Sequence, residues 1–252
     1  MKTRTINKKR LTFIGDSHLC VFQYIKDNGY LPNYDIDIKT VLGATAMGMV
    51  NPHSKTDALK KFREFLKIQD KESSLFFQIG EVDCGFIIWY RSQKHSISVE
   101  EQLTLSVNNY FTFLKEVKNK GFQKVTILGA VLPTIKDGQD LGEVANLRKE
   151  IKATQSERTK LTLRYNRLLR QFANSHDFKY ADINNSLLDP STHLVKDYYL
   201  SNNATDHHLS SRKTAPLWLV ELNRIHILDF PYANIRKIIS SIKCVLFQFK
   251  NR

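Results

Sequence analysis

The sequence lacks the features that mark a membrane-spanning or a secreted chain. No stretch of about eighteen apolar residues occurs, so we predict no membrane-spanning helix. The basic segment 1–10 is followed only by the short apolar stretch 11–14, which is too brief for the core of a signal peptide. The three cysteines are odd in number and have no metal-ligand spacing. We therefore expect reduced thiols in a cytoplasmic protein.

Acidic residues are also scarce, at 25 Asp and Glu against 38 Lys and Arg, for a net charge of +13. Such an excess suggests an anionic partner: nucleic acid, a membrane surface or an acidic substrate. Many of the cations lie in helix-like stretches at 55–71, 148–170 and 235–252, where solvated helix faces account for most of them. Because no nucleic-acid signature accompanies the charge, we expect no specific binding of nucleic acid.

Short apolar or alternating stretches typical of strands alternate with segments of helical periodicity. This alternation indicates βαβ units and a mainly parallel sheet covered by helices on both faces, which is a three-layer α/β/α sandwich. We predict five strands, at 11–14, 34–42, 74–79, 124–128 and 178–183. We predict helices over 19–26, 58–66, 98–120, 157–174 and 210–224, with a polar excursion at 135–153.

The length of 252 residues, 42% of them hydrophobic, is sufficient for one large core. We expect one α/β domain over 1–232, followed by a basic amphipathic helix over 233–252. In that tail, apolar residues recur at i, i+3, i+4 and i+7, with cations beside them. The pattern fits a helix lying on an anionic inner-membrane surface through 235–252, or a terminal helix packed on the domain.

Gly15, Asp16 and Ser17 stand directly after the first predicted strand and before a helix. A serine there lies at the carboxyl edge of the sheet, where ligands bind and where backbone N–H groups can hold an anion. The nucleophilic serine of α/β-hydrolases likewise lies on a sharp turn between a strand and a helix. Gly43 and residues 80–83 also follow predicted strands, so we expect them at the same edge. The alternative for the tripeptide is a surface turn with a helix N-cap.

A serine becomes an effective nucleophile only when a base takes its proton, and histidine is the usual base near neutral pH. Among the eight histidines, those at 207 and 208 stand out. An acid, two histidines and an apolar anchor occur together at 206–209, in a loop that is able to return to Ser17. The alternative is a polar loop with a helix N-cap at Ser210. We expect His18 to point elsewhere along a helix, and we assign it no role.

Together these segments resemble the SGNH/GDSL family of hydrolases and acyltransferases. Residues 15–18 look like its first block, Gly43 its second, 80–83 its third and 206–210 its last. Tyr165 and Asn166, in the helix before the last strand, are also common in such proteins. The blocks occur in order over about residues 10–225. The resemblance implies a flavodoxin-like sandwich. We expect no cofactor and no metal.

The resemblance also implies a Ser-His-Asp mechanism. Ser17 would attack an ester carbonyl, and His208 would accept the serine proton and return it to the leaving alcohol, with Asp206 as the acid. We assign His208 as the base because it directly precedes the apolar residue Leu209, as in the family. His207 stays open as the alternative base.

The third block departs from the family pattern, which usually reads Gly-x-Asn-Asp. Val82 stands where most members have the asparagine that donates to the oxyanion. The oxyanion hole would then consist of the backbone N–H groups of Ser17 and Gly43, each typically contributing a few kcal/mol. A Gly-Glu-x-Asp version resembles a subgroup often associated with bacterial surface-polysaccharide gene sets. Four further residues either order the loops or contact substrate: Asp16, Glu81, Asp83 and His207.

The last block also departs from the pattern, because the family usually places the acid three residues before the histidine. Here Asp206 lies two residues before His208 and one before His207. Either the loop is rearranged, or another group orients the base, such as a backbone carbonyl or Asp189.

We expect a serine-dependent carbohydrate O-acyl esterase or O-acyltransferase, with acetyl as the expected acyl group, acting on a bacterial surface polysaccharide or its precursor. Hydrolysis and transfer differ only in whether water or a sugar hydroxyl takes the acyl group from Ser17. The alternative is a catalytically degenerate SGNH-fold protein that serves as a binding or scaffold component of a membrane-associated polysaccharide assembly. A third hypothesis, that the protein binds nucleic acid, depends on the net charge alone.

Overall fold

The structure is a computed structural model that describes residues 8–139 and 150–228. The predicted tail helix at 233–252 lies outside the described residues, and so do positions 140–149 of the predicted excursion. No helix in the described part is long and apolar enough to cross a bilayer.

The described strands and helices alternate along the chain as the sequence predicts. In order they are β1 (Lys9–Gly15), α1 (Cys20–Asp27), β2 (Tyr34–Thr40), α2 (Ala58–Lys67), β3 (Ser74–Gln78), α3 (Ile88–His95), α4 (Val99–Asn119), β4 (Val125–Leu128), α5 (Gln155–Ser175), β5 (Lys179–Ala181), α6 (Asn184–Leu187) and α7 (Ser211–Arg224). Short 3₁₀ turns lie at Ser17–Leu19, Met47–Val50 and Asp197–Tyr199, and a π-helical turn lies at Asp83–Ile87.

The five strands form one parallel sheet in the order β2-β1-β3-β4-β5. The chain passes from β1 outward to β2 and then crosses back to β3 on the other side of β1. The strand order therefore reverses between β1 and β3, and ligands of open α/β sheets bind beside the carboxyl ends of the strands at such a point. Ser17 follows β1 and residues 80–83 follow β3, so the topology alone places both segments there.

Side chains of neighbouring strand residues alternate between two hydrophobic cores, one on each face of the sheet. Ile14 and Phe77 face the core that is covered by α2, α4 and α5. Phe13 and Phe76 face the core that is covered by α1 and α7, where the Phe13 and Phe22 rings stack at 4.0 Å. The three-layer α/β/α sandwich with its five-stranded sheet is therefore confirmed.

Capping residues define where the two long helices begin. Ser98 and Glu101 form the predicted capping box of α4. A second box, Thr154 with Glu157, starts α5 two residues before the predicted boundary. Helix α3 was not predicted, because it continues directly from the π-helical turn Asp83–Ile87 and has no side-chain cap. A helix without a capping residue leaves no start signal in the sequence.

Candidate active site

Ser17 begins the 3₁₀ turn between β1 and α1, and close packing against β3 fixes that turn. A Cβ atom on Gly15 would lie 2.1 Å from the carbonyl oxygen of Gln78, so only glycine fits there. The N–H of Asp16 donates to the same carbonyl at 3.2 Å, and the Asp16 carboxylate accepts from the N–H of His18 at 2.9 Å. Ser17 itself is half-buried. The order Gly-Asp-Ser thus follows from how β1 ends beside β3.

His18 points toward His207 and His208, so the prediction that it points elsewhere is wrong. Its side chain is buried, with Nε2 3.3 Å from Oε2 of Glu81. Its ring centre lies 4.9 Å from that of His208 and 6.1 Å from that of His207. The physical reason is local: the chain makes a 3₁₀ turn before α1 begins, and its three-residue period directs this side chain differently from an α-helix.

Asp206 pairs with His208 although only two residues separate them. Oδ1 of Asp206 lies 2.7 Å from Nδ1 of His208 and accepts from the His208 backbone N–H at 3.0 Å. A tight turn of this kind lets one carboxylate oxygen hold both the backbone and the ring of the histidine. The carboxylate of Asp189 instead accepts from Ser191 and Thr192 within its own turn.

The electrostatics of this pair favour a neutral imidazole beside an ionised carboxylate. Burial lowers the pKa of His208, the nearby His18 lowers it further, and Asp206 opposes both. Burial works against ionisation of Asp206, but hydrogen bonds from the His208 backbone and ring hold the pKa of Asp206 below its usual value. Donation from Nδ1 to Asp206 leaves Nε2 of His208 as the acceptor. That Nε2 is buried and has no hydrogen-bond partner among the described residues.

The loop that contains this pair is held in place from both sides. The hydroxyl of Thr134, in the exit loop of β4, donates to the carbonyl of His207. The N–H of Ser210 donates to the carbonyl of Tyr199 at 2.8 Å, and Leu209 between them is buried in the core. These contacts bring the 206–209 segment back to the turn that contains Ser17.

The acidic residues of the first and third blocks are buried and bind neighbouring loops. Asp83 accepts from the N–H groups of Ala46 and Met47, at 2.7 and 2.9 Å, and from the hydroxyl of Ser106 at 2.8 Å. It therefore orders the loop after β2, in which Gly43 has the left-handed φ of +68°. Burial raises the pKa of Asp16 to about 6.

Comparison with known proteins places this arrangement in a fold group. No protein-family model and no curated protein matches the sequence. Many solved structures match its fold, including the three that follow. A GDSL-like lipase from Bacteroides thetaiotaomicron is 12% identical, with a TM-score of 0.52 and coverage of 86% of this chain and 87% of that one. A catalytic mutant of an acetylxylan esterase from Geobacillus stearothermophilus is 15% identical, with a TM-score of 0.53 and coverage of 86% and 94%. A lipase/acylhydrolase from Enterococcus faecalis is 14% identical, with a TM-score of 0.52 and coverage of 86% and 96%.

The chain has the same fold as these three proteins. Within this fold, Tyr165 and Asn166 of α5 support two loops of the site. The Tyr165 hydroxyl donates to the carbonyl of Ile79, and its ring fills the space where Gly80, at a φ of +134°, has no side chain. The side-chain amide of Asn166 binds both the N–H and the carbonyl of Ala130 at 2.8 Å. These residues hold the exits of β3 and β4.

At Val82 the sequence departs from the SGNH/GDSL pattern that it resembles. Val82 stands at the asparagine position and has no side-chain donor, so the third block supplies no side-chain hydrogen bond from that position. Asp83 binds the loop after β2 and the hydroxyl of Ser106, and the buried Glu81 lies beside His18.

Proposed function

We propose that this protein is a serine-dependent ester hydrolase or acyltransferase. Ser17 is the nucleophile, His208 is the general base, and the carboxylate of Asp206 orients the His208 ring. One observation carries the proposal: Asp206 holds the imidazole of His208 at 2.7 Å, and the second nitrogen of that ring is buried without a partner among the described residues. The ring centre lies 4.9 Å from that of His18, in the turn that begins with Ser17. A neutral imidazole with one nitrogen available is what proton removal from a serine requires.

In the proposed reaction, Nε2 of His208 takes the hydroxyl proton of Ser17 while Oγ bonds to the ester carbonyl carbon. The backbone N–H groups of Ser17 and Gly43 stabilise the resulting oxyanion, each by about 3 kcal/mol. The tetrahedral intermediate collapses, the bond to the alcohol oxygen breaks, and His208 returns the proton to that oxygen. Water or a sugar hydroxyl then attacks the acyl-Ser17 ester by the same steps and regenerates the serine.

As substrate we propose a carbohydrate O-acetyl ester on a bacterial surface polysaccharide or its precursor. The similarity of the fold to an acetylxylan esterase supports this choice, as does the resemblance of Gly80, Glu81 and Asp83 to the polysaccharide-associated subgroup. The net charge of +13 suits an acidic glycan.

Covalent labelling with a fluorophosphonate probe tests the mechanism. We expect the wild type to be labelled and Ser17→Ala to be unlabelled, and we expect Ser17→Ala to lose turnover of p-nitrophenyl acetate and of an acetylated sugar. Ser186→Ala, which removes an exposed serine, is the matched control and should be labelled like the wild type. Equal turnover by wild type and Ser17→Ala would contradict the mechanism.

The same assay decides between the two adjacent histidines. We expect His208→Ala to lose labelling and His207→Ala to retain it, because His208 is the one paired with Asp206. The opposite result would make His207 the base. Adding a sugar acceptor and measuring the acetylated product against free acetate separates transfer from hydrolysis.

The absence of the side-chain oxyanion donor at Val82 favours a second candidate, a binding or scaffold protein with a degenerate site. Under that alternative the wild type would not react with the probe, and an acidic glycan would bind equally to wild type and Ser17→Ala. Labelling of the wild type at Ser17 would exclude it.

A further inference from the structure

Three histidines converge in the crevice, although we expected no metal site from the sequence. His18, His207 and His208 each place one ring nitrogen within 4.8 Å of the others. One comes from the turn after β1 and two come from the loop before α7. Both segments are fixed by backbone hydrogen bonds or buried side chains, so the cluster belongs to the fold.

The spacing of these nitrogens is close to that of a coordination shell. Zn²⁺ binds imidazole nitrogen at about 2.0–2.1 Å, so two nitrogens on a tetrahedral ion are about 3.4 Å apart. The nitrogens lie within 4.8 Å of one another, so binding an ion would require the rings to move by about 1 Å. Three protein ligands with a fourth position open is a common zinc arrangement, and imidazole also suits Cu²⁺ and Ni²⁺.

Two carboxylates lie beside the cluster, and one of them, Asp206, holds a ligand ring as an outer-shell partner does. Asp206 holds Nδ1 of His208 at 2.7 Å, and Glu81 lies 3.3 Å from Nε2 of His18. A carboxylate that accepts from a ligating imidazole fixes the ring and raises its basicity. The same carboxylates offset the charge of a divalent ion in a crevice where two of the three rings are largely buried.

We propose that His18, His207 and His208 bind a divalent transition-metal ion, represented by Zn²⁺, and that the bound ion suppresses the serine chemistry. The binding part depends only on the three histidines. The suppression rests on the proposed function: a nitrogen lone pair of His208 that is shared with the ion no longer accepts the proton of Ser17. No bond to carbon forms or breaks, and removing the ion restores the base.

Calorimetric titration of chelator-treated, untagged full-length protein with ZnCl₂ tests the binding. We expect one high-affinity site per chain in the wild type and in Ser17→Ala, which keeps all three histidines. His18→Gln should weaken the affinity by more than about tenfold, since loss of an outer-shell partner alone costs that much. His95→Gln, an exposed histidine on α3, is the matched control. Equal affinities for His18→Gln and wild type would overturn the site.

Absorption spectra with Co²⁺ provide a readout that does not depend on activity. The intense visible bands of a tetrahedral ion should appear in the wild type and Ser17→Ala and be lost in His207→Gln. Circular dichroism and thermal unfolding of each variant show whether it is folded. A wild-type spectrum typical of hydrated Co²⁺ would contradict coordination by the cluster.

Esterase assays separate the two parts of the proposal. Added Zn²⁺ should inhibit turnover of p-nitrophenyl acetate at the concentration that saturates the titration, and chelator should restore it. Saturating Zn²⁺ without any loss of turnover would overturn the suppression and leave the site standing. A metal-free wild type without turnover would instead count against the proposed function, while the titration would still decide the site.

Discussion

Asp206 contacts His208 although it lies only two residues before it, where the SGNH/GDSL pattern has three. A single carboxylate oxygen accepts from the backbone N–H and from Nδ1 of His208, so the acid reaches the histidine across a turn of only two residues. Its carboxylate remains ionised because these hydrogen bonds outweigh its partial burial. The Asp206 side chain therefore sets both the tautomer and the direction of the ring.

Replacing the Asp206 carboxylate tests that role. We expect Asp206→Asn to lower kcat for p-nitrophenyl acetate by about two to four orders of magnitude with little change in KM, because the amide no longer orients the correct tautomer. Asp189→Asn, whose carboxylate caps a separate turn, should keep wild-type kcat. Steady-state kinetics of the two variants give the comparison, and similar kcat values for both would remove Asp206 from the mechanism.

At the scale of elements, the site depends on where strand exits meet helix α5. Gly80 follows β3 at a φ of +134°, and a Cβ there would lie 2.4 Å from the ring of Tyr165. The sequence motif at 80–83 thus needs glycine for two reasons, a left-handed backbone and contact with a helix far away in the chain. Only the first reason can be inferred from the motif itself.

Two glycine substitutions separate these reasons. Gly29 has a left-handed φ of +64° with open space around it. We therefore expect Gly29→Ala to lower the free energy of unfolding by about 1 kcal/mol. Gly80→Ala adds the clash with Tyr165, and we expect a loss larger by about 1–3 kcal/mol. Urea unfolding measures both, and equal losses would show that the contact with Tyr165 is unimportant.

Helices α2 and α4 are joined by a two-point ion pair. Nε and Nη2 of Arg63 donate to the two oxygens of Glu116 at 2.9 and 2.6 Å, and Lys120 adds a third contact at 2.6 Å. Hydrogen bonding from Arg63 holds the pKa of Glu116 below its ordinary value of 4.5, against the opposing effect of burial. A carboxyl group with a lowered pKa in the folded state stabilises the fold above its unfolded pKa.

The sign of this effect predicts how stability changes with pH. Glu116→Gln should lower the free energy of unfolding by up to about 1 kcal/mol at neutral pH. The difference from wild type should shrink as the pH falls below 4.5, because the carboxyl of the unfolded wild type then takes up a proton more readily than that of the folded protein. Urea unfolding over this range makes the measurement, with the exposed Glu64→Gln as control. A difference that does not depend on pH would assign the loss to packing.

At the scale of the whole molecule, the strand order and the charge matter most. The reversal between β1 and β3 gathers Ser17 and the third block at one edge of the sheet, and the loop before α7 adds the histidines. The net charge of +13 is partly concentrated in the tail, where residues 233–252 carry five Lys and Arg and no acid. Anionic surfaces attract such segments by about 1 kcal/mol per cation.

Deleting residues 233–252 tests the membrane interpretation of the tail. We expect the full chain to co-sediment with vesicles that contain anionic lipid, more weakly with purely zwitterionic vesicles, and less as salt is added. The truncated protein should lose most of this binding. Lipid binding that survives the deletion unchanged would end the membrane interpretation and leave a tail that packs on the domain.

The order of elements was predictable because each strand and most helices carry their own local signals, such as alternation at 34–42 and the capping box at Ser98. The signals for two features were not local. Helix α3 has no cap, and the direction of His18 depends on a 3₁₀ turn whose alternative, an α-helix, fits the same residues. Sequence reasoning therefore predicted most of the fold and missed one histidine that contacts the candidate site.

The sequence by itself determined the sandwich and the residue types that serine chemistry needs, since hydrophobic periodicity and turn preferences act over a few residues. Only the tertiary structure decided which groups meet: Asp206 with His208, Glu81 with His18, and the three imidazoles with one another. Those contacts depend on how loops that are distant in sequence pack at one edge of the sheet. Packing of this kind is a property of the whole chain, because each loop is held by contacts with elements that lie elsewhere in the sequence.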